Sequence, residues 1–265
     1  DIQGQVFDYP EEFFKERIHK IRRPRPDEFQ IIEAAEKIKS SKKPILISGG
    51  GVFYSDAMDE LSKFAIKHNI PVTQTVMGYS TMKRDHSHYA GQIGGLGGKN
   101  TNKLAKETDL AIAVGTKLAD FTTGSWANFE NPNFKLVSIN TARFDANKHM
   151  AQALIGDAKV SLAELSQVLG SWKAPDDWYK KSRSELESWA KHIENEIIKL
   201  IKNDKLRKRI QSKSKNFVKH RLKINSQKID LMRNSLFPFK KININGNNFV
   251  QKNNIKDILK EYKGN

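Results

Sequence analysis

The sequence of 265 residues contains no cysteine. This absence excludes a disulfide scaffold, a zinc site with cysteine ligands and a cysteine nucleophile. The sequence also lacks an apolar run near the roughly 18 residues that a membrane span needs. The first residues do not show the pattern of a signal peptide. We therefore expect a cytoplasmic protein with no membrane partner.

Positive charge is present in excess but is unevenly distributed. The formal net charge is +16, from 46 Lys and Arg against 30 Asp and Glu, and residues 201–265 hold 18 of the former but 4 of the latter. A strongly basic protein commonly binds nucleic acid. Here the first 200 residues are nearly balanced, so the charge describes the last quarter of the chain.

Short apolar runs alternate with amphipathic helical patterns along the first 170 residues. Runs without polar alternation are typical of strands that are covered on both faces of a parallel sheet. The predicted strands are Ile45–Ile47, Val72–Thr75, Leu110–Val114, Leu136–Ile139 and Ala153–Ile155. Their spacing matches βαβ units, which predicts an α/β fold with a doubly wound parallel sheet, Rossmann-like in architecture.

Two local predictions concern the segments between these strands. Ser55 is placed to cap the helix that carries Met58 and Leu61. A long glycine-rich loop is expected from Met77 to Gly98, ahead of a short helix that starts near Thr101.

Four segments are predicted along the chain. Residues 1–26 form a connector, because Pro24 and Pro26 disfavour a helix. Residues 27–178 form the α/β domain, and residues 179–202 a closing helix. Residues 203–265 are a tail rich in Lys and Asn, which we expect to be poorly ordered because it has too little apolar surface for a core.

Ligands of an open parallel sheet bind beyond the carboxyl ends of its strands, where glycines let a ligand approach the backbone. The glycine clusters here do not match the dinucleotide fingerprint G-x-G-x-x-G. Tight strand-to-helix turns account for them equally well. With that alternative open, the predicted cofactor-binding residues are Gly49, Gly50, Gly51, Gly95, Gly97, Gly98, Gly115, Thr116, Lys117 and Asn140.

The residues alone point to no catalytic apparatus. His86 and His88 form a pair that could bind a metal ion, but no third ligand lies nearby in the sequence, and we predict no metal site. Neither a Ser-His-Asp arrangement nor a phosphate-binding Walker loop is recognisable. We therefore predict no catalytic residue in this chain.

Several segments carry a resemblance to known families. Three segments resemble the central domain of thiamine-diphosphate-dependent enzymes, namely Pro44–Val52, Asn69–Val72 and Asp109–Thr116. Four further segments resemble one group within that superfamily, the trihydroxycyclohexanedione acylhydrolases of myo-inositol breakdown. These segments are Phe7–Phe14, Ile21–Pro24, Asp120–Trp126 and Phe144–His149. The resemblance covers about residues 1–178 and implies a DHS-like NAD/FAD-binding fold.

The resemblance implies an enzyme that hydrolyses a C–C bond of a cyclic 1,2-dione with thiamine diphosphate and Mg²⁺. Such enzymes have three domains, and this chain resembles the middle one. Because it starts at Asp1 rather than at methionine, we expect a piece of a longer protein that is inactive alone and does not hold thiamine diphosphate by itself. The implied partners are the remaining domains, in a homodimer or homotetramer.

Relatives such as the acetolactate synthases hold FAD in this domain. Lys117 stands where those relatives carry Arg, and Asn140 stands where they carry an Asp that binds ribose. Both departures argue against FAD here.

Two other functions stay open. The first is an FAD- or NAD-binding module, although its sirtuin-like version needs zinc-binding cysteines that this sequence lacks. The second is a domain with a basic nucleic-acid-binding arm, in which Lys205–Lys223 would contact phosphates and nearby phenylalanines would stack on bases. A tail without a role explains the same residues, and we do not expect nucleic acid as a partner.

Overall fold

The computed structural model describes residues 8–20, 22–203, 208–209 and 211–212. Six parallel strands form one sheet in the order β3-β2-β1-β4-β5-β6. The strands are β1 (Pro44–Ser48), β2 (Val72–Gln74), β3 (Tyr89–Gln92), β4 (Leu110–Val114), β5 (Lys135–Asn140) and β6 (Gln152–Ile155). The predicted α/β fold with a doubly wound parallel sheet is confirmed.

Helices cover both faces of this sheet. They are α1 (Glu28–Lys39), α2 (Gly50–Tyr54), α3 (Met58–His68), α4 (Lys99–Glu107), α5 (Asp120–Thr123), α6 (Arg143–Ala146), α7 (Ala158–Leu169) and α8 (Asp176–Lys202). Two single-turn 3-10 helices span Glu11–Phe14 and Lys148–Met150.

The core forms two layers because alternate strand residues point to opposite faces of the sheet. Leu46, Ile112 and Val137 pack on one face with the apolar sides of α1, α3 and α7. Ile47 and Ala113 pack on the other face with α4 and with Trp178 at the start of α8. This burial on both sides explains why the strands lack polar alternation.

Helix α8 is attached at its first turn and then runs along α4. The Trp178 indole Nε1–H donates to the carbonyl oxygen of Pro44 at 2.8 Å, and the Trp178 side chain is buried. Lys181 pairs with Glu107 at the end of α4, and Glu185 pairs with Lys103 one turn earlier in α4. The two helices are therefore antiparallel.

Strand β3 lies inside the segment that the sequence pattern assigned to a loop from Met77 to Gly98, so that prediction was wrong. Tyr89–Gln92 contains no β-branched residue, and Gly91 has a φ of +114°. The strand lies at the sheet edge and pairs with β2 alone. A strand of this kind depends on its neighbour rather than on its own propensity.

The prediction that Ser55 caps the second long helix was also wrong. The residues from Gly50 to Tyr54 form the short helix α2, and Ser55 ends that helix. Helix α3 begins at Met58, directly after Ala57. Asp56, which lies between α2 and α3, has a φ of +52°. The glycine run makes a helical turn of its own, which moves the next helix start by two residues.

Within the described ranges, no helix is both long and apolar enough to cross a membrane. The predicted basic tail, residues 203–265, lies outside the described residues apart from Asn203 and residues 208–209 and 211–212.

Candidate functional site

The structure brings the ten predicted cofactor-binding residues to the carboxyl edge, the sheet edge at which the parallel strands end. Gly49–Gly51 follow β1, Gly95–Gly98 follow β3, Gly115–Lys117 follow β4, and Asn140 ends β5. The strand order reverses between β1 and β4. Ligands of doubly wound sheets bind at such a point. The location therefore agrees with the sequence-based expectation, and binding itself stays a prediction.

At this reversal point the glycine loops after β1 and β4 pack on each other. The amide of Gly49 donates to Val114 O, that of Gly51 to Gly115 O, and that of Gly115 to Ile139 O, each at 2.9 Å. A Cβ on Gly49 would lie 2.3 Å from Gly115 O, and Gly115 has a φ of +60°. Close approach of two backbones therefore requires glycine here, whether or not a ligand binds.

The second glycine loop, after β3, is held in a similar way. The amide of Gly95 donates to Phe121 O at 2.7 Å, and that of Gly98 donates to Gln92 O at 3.1 Å. The Asn102 side chain accepts from the amide of Gly94 and donates to the carbonyl of Gly94, both at 2.9 Å. Sequence reasoning missed Asn102, because its position inside α4 gives no sign that it braces the loop before that helix.

The polar residues at the carboxyl ends of β4 and β5 are linked by a hydrogen bond. Asn140 Nδ2 donates to Thr116 O at 3.3 Å, while Asn140 Oδ1 accepts from the amide of Ala142 at 3.0 Å. Thr116 is buried, and Lys117 is exposed. Asn140 therefore joins the two loops through both ends of its amide group, and Lys117 alone of these side chains faces solvent.

An ion pair joins the connector to the domain next to the same edge. Arg23 Nη1 lies 3.2 and 3.0 Å from the two Asp157 carboxylate oxygens and also donates to Ser55 O. The amide of Asp157 donates to Pro24 O at 2.8 Å. The Asp157 carboxylate caps α7 by accepting from the amides of Lys159 and Val160. Sequence reasoning did not assign this role, although an Asp directly before a predicted helix is a recognised capping signal.

His86 and His88 lie at the opposite edge of the sheet, just before β3. His88 Nε2 lies 3.3 Å from Asn69 Oδ1, and its ring centroid is 4.6 Å from that of Tyr179. His86 Nε2 is 2.9 Å from Ser62 Oγ. Burial, followed by the proximity of His86, lowers the pKa of His88 to about 4, so His88 is neutral at pH 7. These histidines therefore bond to neighbouring side chains.

Within the described ranges, no group of three or more His, Cys, Asp or Glu side chains is placed to hold a metal ion.

The chain was compared with protein families. A family model described as thiamine pyrophosphate enzyme, central domain, matches residues 31–165.

Comparison with individual proteins found relatives named 3D-(3,5/4)-trihydroxycyclohexane-1,2-dione hydrolase. The one from Clostridium botulinum (strain Alaska E43 / Type E3) is 47% identical over 169 residues, which are 64% of this chain and 26% of that protein. The one from Clostridium tetani is 39% identical over 193 residues, which are 73% of this chain and 30% of that protein.

One structural neighbour is a protein of Mycobacterium smegmatis that is proposed to be a thiamin diphosphate-dependent enzyme. The alignment covers 59% of this chain and 30% of the chain of that protein. Its TM-score is 0.48 and its sequence identity is 21%.

The matched segments are 26% and 30% of these curated relatives, so the chain spans between a quarter and a third of their length. The matched family segment, residues 31–165, runs from α1 into α7 and contains all six strands. It covers more than half of the 265 residues. The chain therefore belongs to the family of thiamine pyrophosphate enzyme central domains.

Proposed function

We propose that this chain serves as the central domain of a thiamine-diphosphate-dependent hydrolase, one that cleaves a C–C bond of a cyclic 1,2-dione in inositol breakdown. One observation carries the proposal. Over 169 residues the chain is 47% identical to a protein named as a hydrolase of such a dione. That stretch is long enough to include the whole sheet, and the family of the domain is established independently.

The described residues supply a scaffold rather than reacting groups. Thiamine diphosphate would supply a carbanion that attacks a carbonyl carbon of the dione. The amides of Gly49, Gly51 and Gly115 already donate to protein carbonyls at the reversal point. A diphosphate would have to displace those hydrogen bonds, so these loops do not form a preformed binding site for it. In this proposal the remaining domains of the whole enzyme bind thiamine diphosphate and Mg²⁺.

FAD is not part of the proposal. The amide group of Asn140 is engaged at both ends, by Thr116 O and by the amide of Ala142. An FAD ribose at this loop would have to replace one of those two bonds. We propose that the whole enzyme acts in the cytoplasm as a homodimer or homotetramer, without nucleic acid or membrane as a partner.

A chimeric enzyme tests the proposed function. The matching 169-residue segment of the Clostridium botulinum hydrolase would be replaced by the corresponding residues of this chain. The chimera is expected to hydrolyse the dione in the presence of thiamine diphosphate and Mg²⁺. The matched control carries the central domain of an acetolactate synthase and is expected to be inactive. A chimera that is folded and binds the cofactor but does not hydrolyse the dione would contradict the proposal.

A further inference from the structure

We propose that the carboxyl edge of the sheet is a docking surface for the remaining polypeptide of the hydrolase. This inference rests on the proposed function and adds to it the surface through which the domain is joined to the rest of the enzyme.

Large exposed apolar side chains are concentrated at this edge. Each segment that follows one of the strands β1 to β5 carries at least one of them, either in a loop or in a short helix, and six are between 57% and 77% exposed. These six, which we name the edge patch, are Phe53, Tyr54, Met77, Leu96, Phe121 and Phe144. Clusters of exposed apolar residues mark interaction surfaces, whereas single ones are ordinary.

The opposite edge of the same sheet differs. Residues 40–43, 69–71, 108–109 and 131–134, which lead into β1, β2, β4 and β5, are all described and expose no large apolar side chain. Met150, ahead of β6, is exposed on that side, as are Ile66 and Val168 in the last turns of α3 and α7. Because both edges belong to one domain, a general tolerance for exposed apolar residues does not explain the edge patch.

The connector extends this apolar surface. Arg23 binds the carbonyl oxygen of Ser55, the residue that directly follows Tyr54 of the edge patch. Residues 8–20 precede this anchor and are exposed throughout. Four of their side chains are large and apolar, with exposed fractions from 60% to 89%, namely Tyr9, Phe13, Phe14 and Ile18. A partner that covers the edge patch can therefore cover the connector as well.

A macromolecule fits this surface better than a small ligand. Small-molecule sites are concave and bury most of their ligand, whereas the edge-patch side chains project into solvent. The amides of Gly49, Gly51 and Gly115 beneath them donate to protein carbonyls. Lys117 and Arg143 are exposed beside Phe121 and Phe144, and neither forms a salt bridge with any described residue. The partner face should therefore be apolar and carry carboxylates.

The length of the relatives identifies the partner. The match covers 26% of the Clostridium botulinum hydrolase, so about three quarters of that polypeptide lies outside it. A domain embedded in such a chain must present a face to its neighbours. The edge patch, continuous with the connector, is the face that the described residues leave uncovered.

Because this chain has no cysteine, a single introduced cysteine provides its one thiol, and the reactivity of that thiol reports on one position. Phe121→Cys and Phe144→Cys report on the edge patch, and Met150→Cys, ahead of β6 on the opposite edge, is the control, with 98% exposure. The full chain carrying each substitution would be mixed with the Clostridium botulinum hydrolase lacking its matching segment, and the rate of thiol alkylation measured. Alkylation at positions 121 and 144 should slow about tenfold when roughly 90% of the chain is bound, because only the free fraction reacts. Alkylation at position 150 should not change.

Three results would overturn the docking proposal. They are the absence of a complex by size exclusion, a complex in which all three thiols keep their rates, and slowing at 121 and 144 with rising concentration of the chain alone. The last would show that a second copy covers the edge.

If the shortened hydrolase does not fold, Phe121→Asp and Met150→Asp in the chimeric enzyme answer the same question. Phe121→Asp should lower the melting temperature of the chimera, and Met150→Asp should not. Equal effects would contradict docking. These readouts do not depend on hydrolysis of the dione, so they separate failure of the docking surface from failure of the proposed function.

Discussion

Asp157 combines two interactions in one nearly buried carboxylate. It caps α7, and it binds Arg23, which attaches the connector to the domain. Its side chain is 7% exposed, against 31% for Arg23. Solvent therefore screens this ion pair less than a pair on the surface, and loss of the carboxylate would leave Arg23 without its acidic partner.

Asp157→Ala is expected to lower the free energy of unfolding by about 2 kcal/mol. About half of this comes from the lost helix cap and the rest from the lost charged hydrogen bonds to Arg23. Asp157→Asn keeps a capping oxygen and should cost less. Urea denaturation of both variants measures the difference, and equal losses would show that the cap contributes nothing.

Two glycines of the carboxyl edge differ in the free space that a Cβ atom would find beside the Cα atom. A Cβ on Gly49 would meet Gly115 O at 2.3 Å, whereas a Cβ on Gly95 would find its nearest atom at 3.8 Å. Gly49→Ala should therefore destabilise the fold by about 1–3 kcal/mol through overpacking. Gly95→Ala should stay within about 0.5 kcal/mol of the parent protein. Thermal unfolding would test this, and similar melting temperatures for the two variants would contradict the packing argument.

At the scale of elements, the sequence predicted five strands and missed β3. Four of the five contain apolar runs in a sheet that is covered on both faces, and those runs are readable from the residues themselves. The remaining one, β2, is buried although Thr73 and Gln74 are polar. Tyr89–Gln92 has no such run, because Gly91 interrupts it. The position of β3 depends on hydrogen bonds to β2, including the one from the amide of Ile93 to Gln74 O at 3.0 Å.

The segment before β3 also makes the fold sensitive to acid. His88 is packed between Asn69 and Tyr179 at the start of α8, and burial lowers its pKa to about 4. In the unfolded chain a histidine has a pKa of about 6.5. Between these values the unfolded chain binds a proton that the folded chain does not. The free energy of unfolding therefore falls as the pH decreases from about 6.5 to about 4, and the contribution of His88 is complete above 6.5.

His88→Gln should reduce this acid sensitivity. The urea midpoint of the parent protein is expected to fall between pH 7 and pH 5, and the fall should be smaller in the variant. Some sensitivity should persist, because burial also lowers the pKa values of His68 and His86. His19→Gln, at an exposed position of the connector, serves as the control and should behave as the parent does. An unchanged fall in His88→Gln would contradict the assignment.

At the scale of the whole molecule, the charge of +16 is separate from the domain that the structure describes. The sheet and both core layers lie between Ile31 and Leu186, while most of the excess positive charge belongs to residues 201–265. The proposed function follows from the sheet and its relatives and does not depend on that charge.

We expect the whole chain to bind thiamine diphosphate weakly. The amides of Gly49, Gly51 and Gly115 at the reversal point of the sheet donate to protein carbonyls, and each would have to give up that bond to reach a phosphate. Titration calorimetry with thiamine diphosphate and Mg²⁺ should show no binding at micromolar concentrations. The chimeric enzyme, measured in parallel, provides the positive control. Micromolar, Mg²⁺-dependent binding to the chain alone would contradict this expectation.

The class of fold and the family can be read from the amino-acid sequence. Apolar runs buried on both faces and the spacing of βαβ units are local properties, and the family motifs lie in continuous stretches. The residues that meet across long distances in the chain become visible in the folded domain. Contacts such as Gly49 with Gly115, Arg23 with Asp157, and Asn140 with Thr116 depend on the order of strands in the sheet. That order results from the packing of the whole domain, so no single stretch of sequence encodes what the glycine amides bind or which apolar side chains remain exposed at the carboxyl edge.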